Sequence, residues 1–200
     1  MNGLLDTLVN SFGDDAVDMM SKQLGVENQL TKTAISSALP MIISALVKNA
    51  STPQGAESLH KAVVQDHDGS ILDQLSNYIP NYQQSSGGGI LGHVLGNNRK
   101  GVEDMIGQVS GMNPSAVSGF MEMLAPMVMG SLGKQQRSNN LDKGGLTDLL
   151  KQAQQGIDQK SEKKSGGLLA SFLDKDGDGD IKDDLGRMAM NFLGSYLKRK

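Results

Sequence analysis

Displaced by 86 residues, the 200-residue sequence aligns with itself without a gap over residues 3–49. "GLLDTLVN" at 3–10 falls on "GILGHVLG" at 89–96, and "LPMIISAL" at 39–46 falls on "APMVMGSL" at 125–132. Identity is low, yet apolar positions meet apolar positions almost throughout. Pro40 meets Pro126, Gly25 meets Gly111 and Asp18 meets Asp104. A self-match of this kind points to a duplicated unit whose two copies pack together.

The repeated unit reads as helical. Leu30, Ala34, Ile35, Ala38, Leu39, Ile42, Ile43 and Leu46 recur at helical spacing and form one wide apolar face. Gly25 and Gly111 follow short amphipathic runs, where a helix can end in a left-handed residue. Asp14 and Ser115 are candidate N-caps. Pro40 and Pro126 each fall inside an apolar helical pattern, so each helix is expected to kink or to break there. Further amphipathic helices are expected at "ESLHKAVV", from Glu57, and "TDLLKQAQ", from Thr147. Alternating strand patterns are lacking, so the expected class is all-α. A Gly/Ser-rich connector at 83–89 and a polar one at 158–167 divide the chain. The division is a first helical unit at 1–82, a second at 83–157, a linker at 158–167 and a C-terminal helix-loop-helix at 168–200.

A formal charge of −3 lacks the basic excess typical of nucleic-acid binders. With no Cys, the chain has no disulfides, thiolate nucleophile or Cys-ligated zinc. The N-terminus lacks the basic start and small-residue cleavage site of a secretory signal. The longest apolar stretch, 35–47, is shorter than the ~20 residues a bilayer span needs. A soluble cytoplasmic protein without a membrane span is expected.

The most pointed chemistry lies in "DKDGDGDIKDDL", residues 174–185. An EF-hand loop takes oxygen ligands at positions 1, 3 and 5, Gly at 6, a carbonyl at 7 and a bidentate carboxylate at 12. Asp174, Asp176 and Asp178 occupy 1, 3 and 5, Gly179 occupies 6 and Asp180 occupies 7. Position 12 is Leu185, so Asp183 or Asp184 would have to complete a Ca²⁺ shell. Affinity is then expected on the order of 10⁻⁵–10⁻³ M, toward the weak end of such loops. The alternative is an acidic helix start, where Asp caps free N–H groups. An echo, "DHDGSILDQL" at 66–75, has Val64 in place of the first ligand. There an Asx/Gly turn is expected, with Asp68 or Ser70 capping a helix over "ILDQLSNYI".

With "DHDGSILDQLSNYI" followed by "GGGILGHVLG", "VEDMIGQVSGM" and "MLAPMVMGSLGKQ", the chain resembles the bacterial domain-of-unknown-function 937 family from its N-terminus to about residue 135. The resemblance implies a small, helical, Gly- and Met-rich protein, in several members with an aspartate-rich loop near the end. It implies no catalytic residue or substrate.

His60, His67 and His93 form no HExxH pair, and "GGGILGHVLG" lacks the Lys and Ser/Thr of a phosphate loop. No GxSxG elbow occurs. An enzyme of unrecognised type is therefore a remote reading. The Met-rich run at 120–129 has two uses: core filling, which is commoner, or an adaptable groove for a partner helix. The expected function is a non-catalytic interaction or scaffold protein that binds an unknown protein or itself and carries a weak calcium loop. A calcium-responsive regulatory module is the alternative.

Overall fold

The structure, a computed structural model, describes residue 4, residue 8 and residues 12–163. Its elements are α1 (Asp14–Leu24), α2 (Asn28–Asn49), α3 (Pro53–Asp66), the short α4 (Leu75–Tyr78), α5 (Gly87–Leu95), α6 (Arg99–Ser110), α7 (Pro114–Asn139) and α8 (Lys143–Lys163). Turns of 3₁₀ helix cover Ser70–Asp73, Ile79–Gln84 and Gly96–Asn98. The protein is all-α, with no strand among the described residues. Met1–Gly156 forms one compact unit. The chain from Ile157 onward belongs to a second, of which only the end of α8 is described.

The central element is α7. Every residue from Met123 to Gly133 is buried, so this segment has no solvated face. Such all-round burial suits a helix apolar on every side. It touches α1, α2, α3, α5 and α6, together with two of the 3₁₀ turns. The Met-rich run therefore fills core: Met121, Met123 and Met127 are fully buried. Leu4, Leu8, Met20, Ile43, Leu46, Ile79, Leu91 and Ile106 add to the same core.

Several helix limits keep the repeat offset, although α2 and α7 end 90 residues apart. α2 starts at residue 28 and α7 at 114, which differ by 86, as do the left-handed C-caps Gly25 (φ 66°) and Gly111 (φ 78°). The N-caps differ from expectation. Gly13 precedes α1 without a side-chain cap, and Asp14 lies in the first turn, pairing with Lys32 at 2.8 Å. Asn113, not Ser115, caps α7: its Oδ1 accepts the Ala116 N–H at 2.9 Å. Pro114 at the first helical position fixes φ there, which places Ser115 inside the turn.

Both internal prolines lie within unbroken helices. Pro126 cannot donate to the carbonyl of Glu122, one turn earlier. That carbonyl accepts the Tyr78 hydroxyl at 3.2 Å, and the Met123 carbonyl accepts it at 3.0 Å. Burial pushes the Tyr78 hydroxyl up to about 12, so it stays a donor. At Pro40 the carbonyl left over belongs to Ser36, which is exposed to water.

The connector at 83–89 is largely helical. Its glycines open α5, because a Cβ at Gly87 would run into the Glu122 carbonyl. Arg99 braces the same place, with Nε 2.7 Å from Glu103 Oε1 and Nη2 2.8 Å from Glu122 Oε1. The helix expected over "ILDQLSNYI" is divided into a 3₁₀ turn, α4 and a second 3₁₀ turn that contains Pro80. α8 continues to Lys163, so the start of the stretch expected as a polar linker is helical.

Two helices, α2 and α7, are long and apolar enough to cross a membrane by length and composition. In α7, 89% of the apolar window is buried within the protein, and in α2 half of it is. A core helix passes the same test.

Candidate functional site: a groove between two helices

The turn that joins α3 to α4 is anchored on the central helix. Gly69 takes φ 92°, a left-handed conformation that glycine adopts without strain. Asp68 Oδ1 accepts the Ser70 N–H at 2.9 Å and the Ser70 hydroxyl at 2.6 Å, an Asx turn. These bonds, the hydroxyl's above all, hold the Asp68 carboxyl below the usual carboxylate range. Asp68 also meets Arg137 at 3.4 Å, and Asp73 meets Lys134 at 3.6 Å. Beneath the turn, a Cβ at Gly133 would run into the His67 carbonyl, and one at Gly130 would lie 2.5 Å from Ile71 Cγ2. The glycines of "GSLGK" are thus the floor on which "HDGSIL" rests.

Beside this turn lies a groove of about 820 Å³. One wall is a stripe along α3: Gly55, Ser58, Leu59, Ala62 and Asp66, one helical face from end to end. The facing wall is Ser86, which precedes α5, and Gly89, Ile90, His93 and Val94, a second helical stripe on α5. Leu46 and Met129 add apolar surface from α2 and α7. Asn49 ties one end together, donating to the His93 and Val94 carbonyls at 3.2 and 3.0 Å. The lining combines apolar side chains with a few polar ones, the usual composition of a binding site.

Asp66 is the one Asp, Glu, Lys or Arg in the lining. It ends α3, whose last turn holds no basic residue, so it adds negative charge where the helix end is already negative. Among the described residues its side chain has no hydrogen bond and no ion pair with Lys or Arg. Its neighbour His67 is half-buried, and burial lowers the pKa of its imidazole, with Asp66 opposing. His67 is therefore neutral at neutral pH.

Of the histidines, His67 and His93 line the groove, whereas His60 Nε2 lies 3.3 Å from the Leu141 carbonyl. Among the described residues, no three His, Asp or Glu side chains are grouped so as to hold a metal ion. Asp174, Asp176, Asp178, Asp180, Asp183 and Asp184 lie outside the described residues. The groove itself escaped the sequence reading. Its signal was the spacing of Leu59, Ala62 and Asp66, which also suits an ordinary solvated helix face.

No curated protein and no solved structure matches the chain. A family defined as bacterial proteins of unknown function, DUF937, matches residues 6–135 of the 200. That span holds α1 to α6, nearly all of α7, the "HDGSIL" turn and both walls of the groove, and the chain belongs to the DUF937 family.

Proposed function

We propose that the protein is a non-catalytic interaction or scaffold protein, with the groove between α3 and α5 as its binding surface. One observation carries this reading: α3 buries a single side chain, Val63, and leaves Leu59 and Ala62 half-covered along the groove. By contrast α8 buries Leu146, Leu150 and Ala153. An amphipathic helix that leaves apolar surface beside a trough suits association better than stability alone. The scaffold is further proposed to have arisen by duplication, which the starts of α2 and α7 and the caps Gly25 and Gly111, each 86 residues apart, support.

The carboxylates at 174–184 supply a second element, a weak Ca²⁺ loop formed by Asp174, Asp176 and Asp178 with the Asp180 carbonyl and Asp183 or Asp184. Its support is the spacing of oxygen ligands around Gly179. The two elements are separable by experiment. Affinity capture and light scattering are run on the wild type and on Gly89→Trp, which fills the groove, each with calcium and with chelator. A partner or self-association lost in Gly89→Trp supports the groove. Loss in chelator supports the calcium-responsive alternative. Absence of any partner and any self-association in all four conditions sinks the interaction reading.

A further inference from the structure

We infer that the occupant of this groove is an amphipathic helix of a partner protein, carrying Lys or Arg opposite Asp66. The inference rests on the groove being the binding surface and adds what fills it. Shape is the first ground. From Gly55 to Asp66 the α3 wall extends about 16 Å, roughly three helical turns. A trough walled by two helices accepts a third by ridges-into-grooves packing, at about 8–10 Å between axes. Close approach is open on the α5 side, where a Cβ at Gly89 would meet no atom within 4 Å. Met129 lends a floor that reshapes around different apolar side chains.

Charge is the second ground, and it distinguishes a basic helix from any other. Eight acidic side chains of the described residues, Asp68 and Asp73 on the adjoining turn among them, pair with Lys or Arg of this chain, whereas Asp15, Glu27, Asp66, Asp142 and Asp148 do not, and of these Asp66 alone lines the groove. Asp66, facing the groove, pairs with none among the described residues. It sits on the negative end of α3, so a cation there would meet a carboxylate and a helix terminus together. An acidic or neutral helix would leave that charge uncompensated, which makes Asp66 a selector as well as a contact.

The test is selection of phage-displayed random peptides on the full chain, in parallel with Gly89→Trp and Asp66→Lys. Enriched peptides are expected to be apolar at helical spacing, to carry Lys or Arg, and to be lost on Gly89→Trp. In fluorescence anisotropy their synthetic forms should bind Asp66→Lys about five- to tenfold more weakly, since one exposed ion pair is replaced by repulsion. Both substituted positions are exposed, so circular dichroism should show the wild-type fold. Peptides enriched equally on Gly89→Trp would overturn the inference while leaving an interaction surface elsewhere. Groove-dependent peptides indifferent to Asp66→Lys would overturn the basic partner. Self-association abolished by Gly89→Trp would make the occupant a second copy, and no enrichment at all would overturn any helical occupant.

Discussion

Gly133→Ala adds one methyl group to the central helix where the "HDGSIL" turn rests, and its cost follows from what that methyl would strike. The obstacle is the His67 carbonyl, a backbone atom, so no rotamer change relieves it. The turn must lift. Overpacking of this kind costs about 1–3 kcal/mol. Lifting the turn also uncovers part of Ile71 from Gly130, worth about 1 kcal/mol on the area scale. The Asp68–Arg137 and Asp73–Lys134 pairs are exposed and add little when lost. Against these stands the better helix propensity of Ala, a gain of about 1 kcal/mol. The net loss is about 1–3 kcal/mol, or about 2–12 °C in melting temperature for a chain of this size. Gly92→Ala is the control: it lies inside α5 with nothing within 4 Å of the new Cβ. It should stabilise by about 0.5–1 kcal/mol. Urea unfolding followed by far-UV circular dichroism reads both, from the shift in midpoint at constant slope. A Gly133→Ala protein as stable as Gly92→Ala would refute the close packing of turn on helix.

Tyr78→Phe removes the donor to the Glu122 and Met123 carbonyls and should cost about 1–3 kcal/mol, the penalty of an unsatisfied buried group. In a Pro126→Ala background the helix supplies its own N–H to Glu122, so the same change should cost measurably less in a double-mutant cycle; equal costs would sever the link between the two residues. His67 has a lowered folded pKa, so its stabilising share is complete above about 6.5, the unfolded value, and is lost as pH falls through the folded value. Urea midpoints should therefore fall below that pH in the wild type more than in His67→Gln, and parallel curves would refute it. Calorimetry should detect Ca²⁺ binding on the order of 10⁻⁵–10⁻³ M, abolished by Asp174→Ala with Asp178→Ala. No heat at millimolar calcium would mean that the aspartates cap a helix start.

Helix period and the self-match made α1, α2, α6 and α7 readable, because burial of one apolar stripe leaves a trace every three to four residues. Gly25 and Gly111 were readable for a related reason, since a left-handed helix end selects glycine whatever lies nearby. Residues 87–89 were not. A run of Gly looks the same whether it frees a linker or lets a helix press on a carbonyl, and only the position of Glu122 distinguishes them. The role of Tyr78 was equally hidden, because one of its two partner carbonyls, that of Glu122, is made available by a proline far along the chain. Ser115 was mistaken for a cap because Asn113 and Pro114 compete for the same turn, and the side chain that reaches the Ala116 N–H wins. At the groove, the sequence held one wall as an ordinary amphipathic helix. That it faces α5 rather than solvent depends on tertiary placement.

The burial of α7 on every side also has a consequence for biosynthesis. α2 meets α6 and α7, and α7 ends at Asn139, 90 residues after the end of α2. At ribosomal rates of about 5–20 residues per second, α2 waits roughly 5–18 s for its covering helices. During that interval the nascent chain presents a 22-residue apolar helix, long enough to span a bilayer, that α1 and the next helices cover only in part. To the cell's sorting and holding factors it then resembles a membrane segment, an ambiguity that ends when the second half of the chain is made.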